Sequence, residues 1–204
     1  MNRFLSRFLA VLSALLGIAL VALLVLRFTA PGLIEETGLA DARIGGPFSL
    51  IDQDGKRRSD ADFRGAFMLV YFGYTYCPDV CPTDLQAMGQ ALDALGPKAD
   101  RIVPIFITID PERDSVPVMK AYAANFNKRL IALTGSPAEI KAAADAYRVY
   151  FKRQGSPTDP DYLMDHSAII YLMSPEGRYL ANFGPGTSGK DMARAIETYL
   201  DAKS

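Results

Sequence analysis

The sequence predicts an α/β sandwich with a mixed β-sheet, preceded by one N-terminal transmembrane helix. Three observations carry this. Residues 8–26 form an uncharged apolar run at the start of the chain. Behind it, short apolar runs alternate with stretches whose apolar residues recur at helical spacing. Near the end, two apolar runs flank a tight-turn signal, which adds antiparallel strands to an alternating strand–helix order.

Phe8 to Leu26 is 19 residues without a charge. At helical rise it spans roughly 28 Å, close to the thickness of a hydrocarbon core. Arg3 and Arg7 precede it and Arg27 follows, so the positive-inside rule keeps the N-terminus in the cytoplasm and exports the body. A cleaved signal peptide would have a shorter apolar region and a small-x-small site, which Arg27-Phe28-Thr29-Ala30-Pro31 does not supply. Being apolar on every face, the run does not read as a core helix either. The expected organisation is a cytoplasmic tip and signal anchor over residues 1–27, a linker over 28–45 and one folded domain over 46–204. No Arg- and Ser-rich transit peptide precedes the apolar run, which favours a single pass through a bacterial inner membrane with the domain in the periplasm.

Within the domain, Phe48–Ile51 followed by Asp52-Gln53-Asp54-Gly55 reads as a strand and a turn. Phe67–Phe72 is a continuous apolar run, as in a strand buried on both faces. Leu85, Met88, Leu92 and Leu95 lie on one helix face, and Gly96-Pro97 ends that helix. Ile102–Ile109 is a second buried strand, with Pro104 placing it at a sheet edge or near the strand start. Met119, Tyr122, Ala123 and Phe126 form a stripe behind Ser115. After a short connecting strand or loop, Ser136-Pro137-Ala138-Glu139 is a capping-box start for a helix with Ile140, Ala143, Ala144 and Tyr147 inward. Ala168–Met173 and Tyr179–Phe183 flank the turn signal Ser174–Gly177. Ser188 caps a last helix with Met192, Ile196, Tyr199 and Leu200 on its inner face. These stripes read as core. The order is compatible with a thioredoxin-like layout.

Charge and composition exclude some functions. Three of the 22 basic residues and none of the 23 acidic ones lie in residues 1–27, so the remainder carries a net −4. A mildly acidic body has no electrostatic footprint for nucleic acid. The chain has two cysteines and one histidine. Intrachain thiol chemistry therefore has to use Cys77 and Cys81, and imidazole chemistry has to use His166.

Cys77-Pro78-Asp79-Val80-Cys81-Pro82 joins the first buried strand to the first helix, where α/β folds place functional groups. Pro82 suits a first helical position and puts Cys81 at or beside the N-cap, where free N–H groups and the helix dipole favour thiolate. The C-x-x-x-C spacing permits either a disulfide or metal ligation. His166 follows the polar stretch Lys152–Asp161 and precedes an apolar strand, which places it at the sheet rim. Asp165 or a nearby carbonyl could hold its second ring nitrogen. Two thiolates and an imidazole suit copper in either oxidation state, whereas a structural zinc site normally takes four protein ligands. Calcium and magnesium prefer oxygen.

Three ordered motifs carry a resemblance: Tyr71-Phe72-Gly73-Tyr74-Thr75-Tyr76-Cys77-Pro78-Asp79-Val80-Cys81-Pro82, Asp110-Pro111-Glu112-Arg113-Asp114, and Asp165-His166-Ser167. Together they resemble the Sco/SenC family of copper chaperones, over the anchor and nearly all of residues 45–204. The resemblance implies a membrane-tethered thioredoxin-like domain that delivers copper to the binuclear copper centre in subunit II of cytochrome c oxidase. It implies Cys77, Cys81 and His166 as ligands, with a periplasmic copper donor protein and a thioredoxin-like reductant as further partners. Asp110 and Asp165 are candidates for supporting the ligands, while Arg113 and Asp114 suit capping and ion pairing. Two departures are visible. Tyr76 stands where many members have histidine before the first cysteine. Asp165-His166-Ser167 lacks the proline that thioredoxin-type relatives keep before the later strand, which favours a metal role over general disulfide chemistry.

The expected role is thus a metallochaperone and not an enzyme. The alternative is a thiol–disulfide oxidoreductase that uses Cys77 and Cys81 as a redox-active pair to reduce the cysteines of the copper-receiving protein. A purely structural disulfide is disfavoured, because so short a loop removes little chain entropy.

Overall fold

The computed structural model describes residues 16, 17, 20, 44–156 and 158–202. Contacts divide the chain into two units, Met1–Ala42 and Arg43–Ser204. The expected membrane span lies outside the described residues, apart from Leu16, Gly17 and Leu20, which are helical. The expected linker also lies outside them, up to residue 43. Among the described residues no helix is long and apolar enough to cross a membrane.

The second unit is built on a seven-stranded mixed sheet. Its strands are β1 (Ser49–Asp52), β2 (Arg57–Ser59), β3 (Phe67–Gly73), β4 (Ile102–Thr108), β5 (Ile131–Thr134), β8 (Ile170–Met173) and β9 (Tyr179–Phe183), in the spatial order β2-β1-β5-β4-β3-β8-β9. β3, β4 and β5 are parallel, and β8 joins β3 antiparallel. Two further strands, β6 (Phe151–Arg153) and β7 (Met164–His166), form a separate antiparallel ribbon. The helices are α1 (Val80–Leu95), α2 (Val116–Ala123), α3 (Pro137–Ala146) and α4 (Gly189–Asp201).

The apolar runs became the central strands. All seven residues of β3 and all four of β8 are buried, and each fully buried aliphatic or aromatic side chain there contributes about 1.5–3 kcal/mol. The helix stripes face the same core: Leu85, Met88, Leu92, Leu95, Ile140, Ala143, Ala144, Met192, Ile196 and Leu200 are all buried. Ser136 accepts from the Glu139 N–H and Ser188 from the Asp191 N–H, so both caps form as read. Gly189, the first residue of α4, lies against α1; a Cβ there would sit 2.8 Å from the Ala87 carbonyl oxygen.

Two outcomes bear on the site. Of the two placements the sequence allowed for Pro104 the structure takes the second: β4 is an interior strand, and Pro104 sits near its start. Pairing with β5 begins only at Ile105, so at Pro104 one flank has no ladder bond to lose. Secondly, the polar stretch before His166 is not a plain loop. Its ends pair as the β6–β7 ribbon, with Phe151 opposite His166 and Arg153 opposite Met164.

Candidate metal centre

β3 ends at Gly73, and the chain turns through Tyr74–Asp79 into α1. Several bonds fix this turn. The Ile109 N–H donates to the Gly73 carbonyl at 2.8 Å, and the Cys77 N–H donates to the Tyr74 carbonyl at 3.3 Å. Asp114, fully buried, accepts from the Thr75 N–H at 3.0 Å and from the hydroxyls of Thr75 and Thr108, each at 2.5 Å. Asp114 therefore ties the cysteine turn to the end of β4, a larger role than capping or ion pairing. Burial pushes its carboxyl upward, against the three hydrogen bonds that pull it down.

Cys81 lies in the first turn of α1 and its side chain is fully buried. Its N–H donates to Cys77 Sγ at 3.3 Å. The Cys77 sulfur thus satisfies one of the unpaired donors at the helix start. The acidities split accordingly. The hydrogen bond with Cys81 is the main cause that holds Cys77 well below the ordinary thiol range, with help from His166 and the N–H groups of Asp79 and Cys81. Cys81 is pushed up by its bond to Cys77 and by burial. This reverses the expectation that Cys81 would be the helix-stabilised thiolate. α1 begins at Val80, so Cys81 is inside the helix with its sulfur turned to the core, and the dipole-facing sulfur belongs to Cys77.

His166 closes β7 and is half-buried. Its Nε2 lies 3.5 Å from Cys81 Sγ, and its Nδ1 lies 3.3 Å from the Ser167 carbonyl oxygen. A proton on Nδ1, facing that carbonyl, leaves the Nε2 lone pair directed at the sulfur. The ring meets Tyr74 edge-on at 5.9 Å and Tyr71 at 6.3 Å between centroids. The donor atoms of Cys77, Cys81 and His166 all lie within 4.8 Å of one another. Cys77 and His166 line a cleft of about 330 Å³ together with Pro78, Leu163 and Met164, while the Cys81 sulfur is buried behind them. Two sulfurs and one imidazole nitrogen fit a soft, low-coordinate ion such as copper, and among the described residues no fourth Cys, His, Asp or Glu joins the cluster as a structural zinc site would need.

Of the two partners expected for the second histidine nitrogen, it is the carbonyl, that of Ser167, that faces it, and the Asp165 carboxylate accepts from Gln154 Nε2 instead. Asp110 accepts from the Tyr162 hydroxyl at 2.6 Å and from Arg113, so it serves the ribbon and not the donors directly. Tyr76 is half-exposed and its hydroxyl donates to Asp161 at 3.0 Å.

One group escaped the sequence reading. Asp84 is 2% exposed, one turn along α1 from Cys81. Burial raises its carboxyl, which interacts with the Tyr71 hydroxyl and the Gly186 N–H and feels His166 and Cys77 through space. Asp84 Oδ2 and the Tyr71 hydroxyl each lack a well-formed hydrogen bond. The available signal was helical spacing, since residues three apart share a face.

The comparisons with known proteins agree with this geometry. The SCO1/SenC family model matches residues 36–201. Protein sco1 of Schizosaccharomyces pombe is 46% identical over 160 residues, covering 77% of this chain and 61% of that protein. The chain spans about half to two thirds of the length of the first curated relatives it matches. The structure of Bradyrhizobium japonicum ScoI with copper bound matches at a TM-score of 0.71 and 45% identity, over 76% of this chain and 99% of that one. BsSco, described as a member of the Sco family of cytochrome c oxidase assembly proteins with a disulfide switch, matches at a TM-score of 0.62 and 25% identity, over 78% of this chain and 95% of that one. The thioredoxin-like mixed fold, the ordered motifs and the family match together place this chain in the SCO1/SenC family.

Proposed function

We propose that this protein is a membrane-anchored copper chaperone that holds the ion as cargo on Cys77, Cys81 and His166. The observation that carries this is the convergence of those three donors within 4.8 Å, with Cys77 and His166 on the wall of a cleft. A relative of 45% identity has been solved with copper bound, which supports the choice of ion. Three soft donors, two of them on the wall of a cleft, and not four in a closed cage, favour a site that gives up its ion. The recipient is the binuclear copper centre of cytochrome c oxidase subunit II. The chain stands on the periplasmic face of a bacterial inner membrane, loaded by a periplasmic copper donor and kept reduced by a thioredoxin-like protein.

The test is an anaerobic titration with copper(I) and with copper(II). It compares the wild-type chain in detergent with Cys77→Ser, Cys81→Ser and His166→Ala. One copper per chain is expected, with loss in each cysteine variant and a selective loss of copper(II) in His166→Ala. Equal affinity in all four proteins would sink the assignment.

The acidity split favours a second reading, thiol–disulfide exchange. In that reading the Cys77 thiolate attacks a disulfide of the recipient, one of the recipient's sulfurs leaves as thiolate, and Cys81 resolves the mixed disulfide after losing its proton. The disulfide switch described for BsSco supports it. Rapid reduction of a model disulfide with no copper binding would establish it over the first.

A further inference from the structure

The β6–β7 ribbon stands outside the main sheet. β7 continues into β8 at its His166 end, so the chain itself holds that end. At the other end stands Tyr162, two residues before β7. Its ring lies 3.6 Å from the guanidinium of Arg113 and 3.6 Å from that of Arg153. Two cations cannot share one face at that distance, so the ring is clasped between them. Arg113 also donates to the Tyr162 carbonyl at 2.9 Å, and its Nε donates to Asp110, which accepts the Tyr162 hydroxyl on its other oxygen. The same guanidinium lies 4.7 Å from the Tyr76 ring, and Tyr76 directly precedes Cys77. Arg113 thus joins the Tyr162 end of the His166 ribbon, the segment after β4 and the cysteine turn.

We propose that Arg113 is a positioning residue of the donor set: it stacks between Tyr162 and Tyr76 and holds the imidazole against the two sulfurs. For copper, the inference rests on the reading above. The clasp itself can be read without metal. Asp110 and Asp114, four residues apart, then divide the labour. Asp110 fixes the ribbon through Arg113, and Asp114 fixes the cysteine turn through Thr75.

His166 is the sole histidine, so its ring signals in an NMR spectrum of histidine-labelled, reduced, metal-free chain are unambiguous. The edge-on contacts with Tyr74 and Tyr71 displace those signals from free-imidazole positions. Arg113→Ala is expected to lose most of that displacement. It is also expected to weaken copper(II) by roughly 10–100-fold, the usual cost of losing a group that orients a ligand, while two-thiolate copper(I) binding changes less than threefold. Arg113→Lys keeps the charge but not the planar stack and is expected to behave like alanine. Arg129→Ala is the control. Arg129 buttresses the far end of β4 through the Ala99 and Ile102 carbonyls, so it should lower stability and leave the His166 signals in place. Wild-type ring signals in folded Arg113→Ala, full rescue by lysine, or an equal shift in Arg129→Ala would overturn the proposal. A wild-type chain that binds no copper would remove the chaperone reading, while the ring signals would still decide the clasp.

Discussion

Gly73→Ala tests how tightly the site is packed into the end of β3. A Cβ at Gly73 would sit 2.9 Å from Cys81 Sγ, 3.0 Å from Phe106 Cε2 and 3.2 Å from Tyr71 Cε1. None of the three neighbours has an exposed surface to retreat toward. Ordinary contact begins near 3.5 Å, so the sulfur must withdraw by at least ~0.6 Å. Overpacking of this kind costs about 1–3 kcal/mol, and the stiffer unfolded chain returns about 0.4–1 kcal/mol, leaving a net loss of roughly 0–2.6 kcal/mol. For a domain of this size the midpoint should fall by roughly 2–4 °C per kcal/mol. Because Cys81 Sγ stands 3.5 Å from His166 Nε2, the sulfur-to-copper(II) absorption band should also move. The measurement is thermal and urea unfolding of the reduced chain, followed by the copper(II) spectrum. Gly89→Ala is the matched control. Its Cβ would meet only Asn127 Cβ at 3.5 Å, and it lies inside α1, so it should stabilise by about 0.5–1 kcal/mol. If both glycine variants gain stability and the spectrum stays fixed, the packing argument is wrong.

Other consequences follow from the same geometry. Cys77 is held below the ordinary thiol range, so its thiolate persists as the pH falls from 8 to 6. Its iodoacetamide alkylation rate should stay nearly level there, whereas an ordinary thiol with pKa about 8.5 loses close to tenfold per pH unit. A tenfold fall per unit would refute the assignment. Asp114→Asn replaces an acceptor of three bonds with a group that turns a donor toward a donor. Urea unfolding should show a loss of about 1–3 kcal/mol, and Thr75 amide exchange should accelerate. Removing the α3 cap with Ser136→Ala should cost about 1 kcal/mol and leave copper binding unchanged, since the capping box involves Glu139 and Arg57 and none of the donors.

The elements legible in the sequence are those whose physics is local. Phe67–Phe72 reads as a buried strand because every residue is apolar, and Ser136 reads as a cap because its partner is three residues away. Cys77, Cys81 and His166 stood out by scarcity and motif, and the two caps and the β8–β9 hairpin needed no tertiary information. The β6–β7 ribbon was not legible. Its strands are three residues long and sit beside polar sequence, too short for a period to be read, so only pairing across the ribbon defines them.

The sequence by itself determined the donor types, the alternating fold and the order of the motifs, because residue chemistry and period suffice for those. Only the tertiary structure decided which cysteine carries the thiolate, because that depends on which sulfur receives the Cys81 N–H and which is turned into the core. It alone decided what Asp110, Arg113 and Asp114 do. Their partners at Tyr162 and Thr75 lie 52, 49 and 39 residues away, and no local periodicity encodes a contact at that separation.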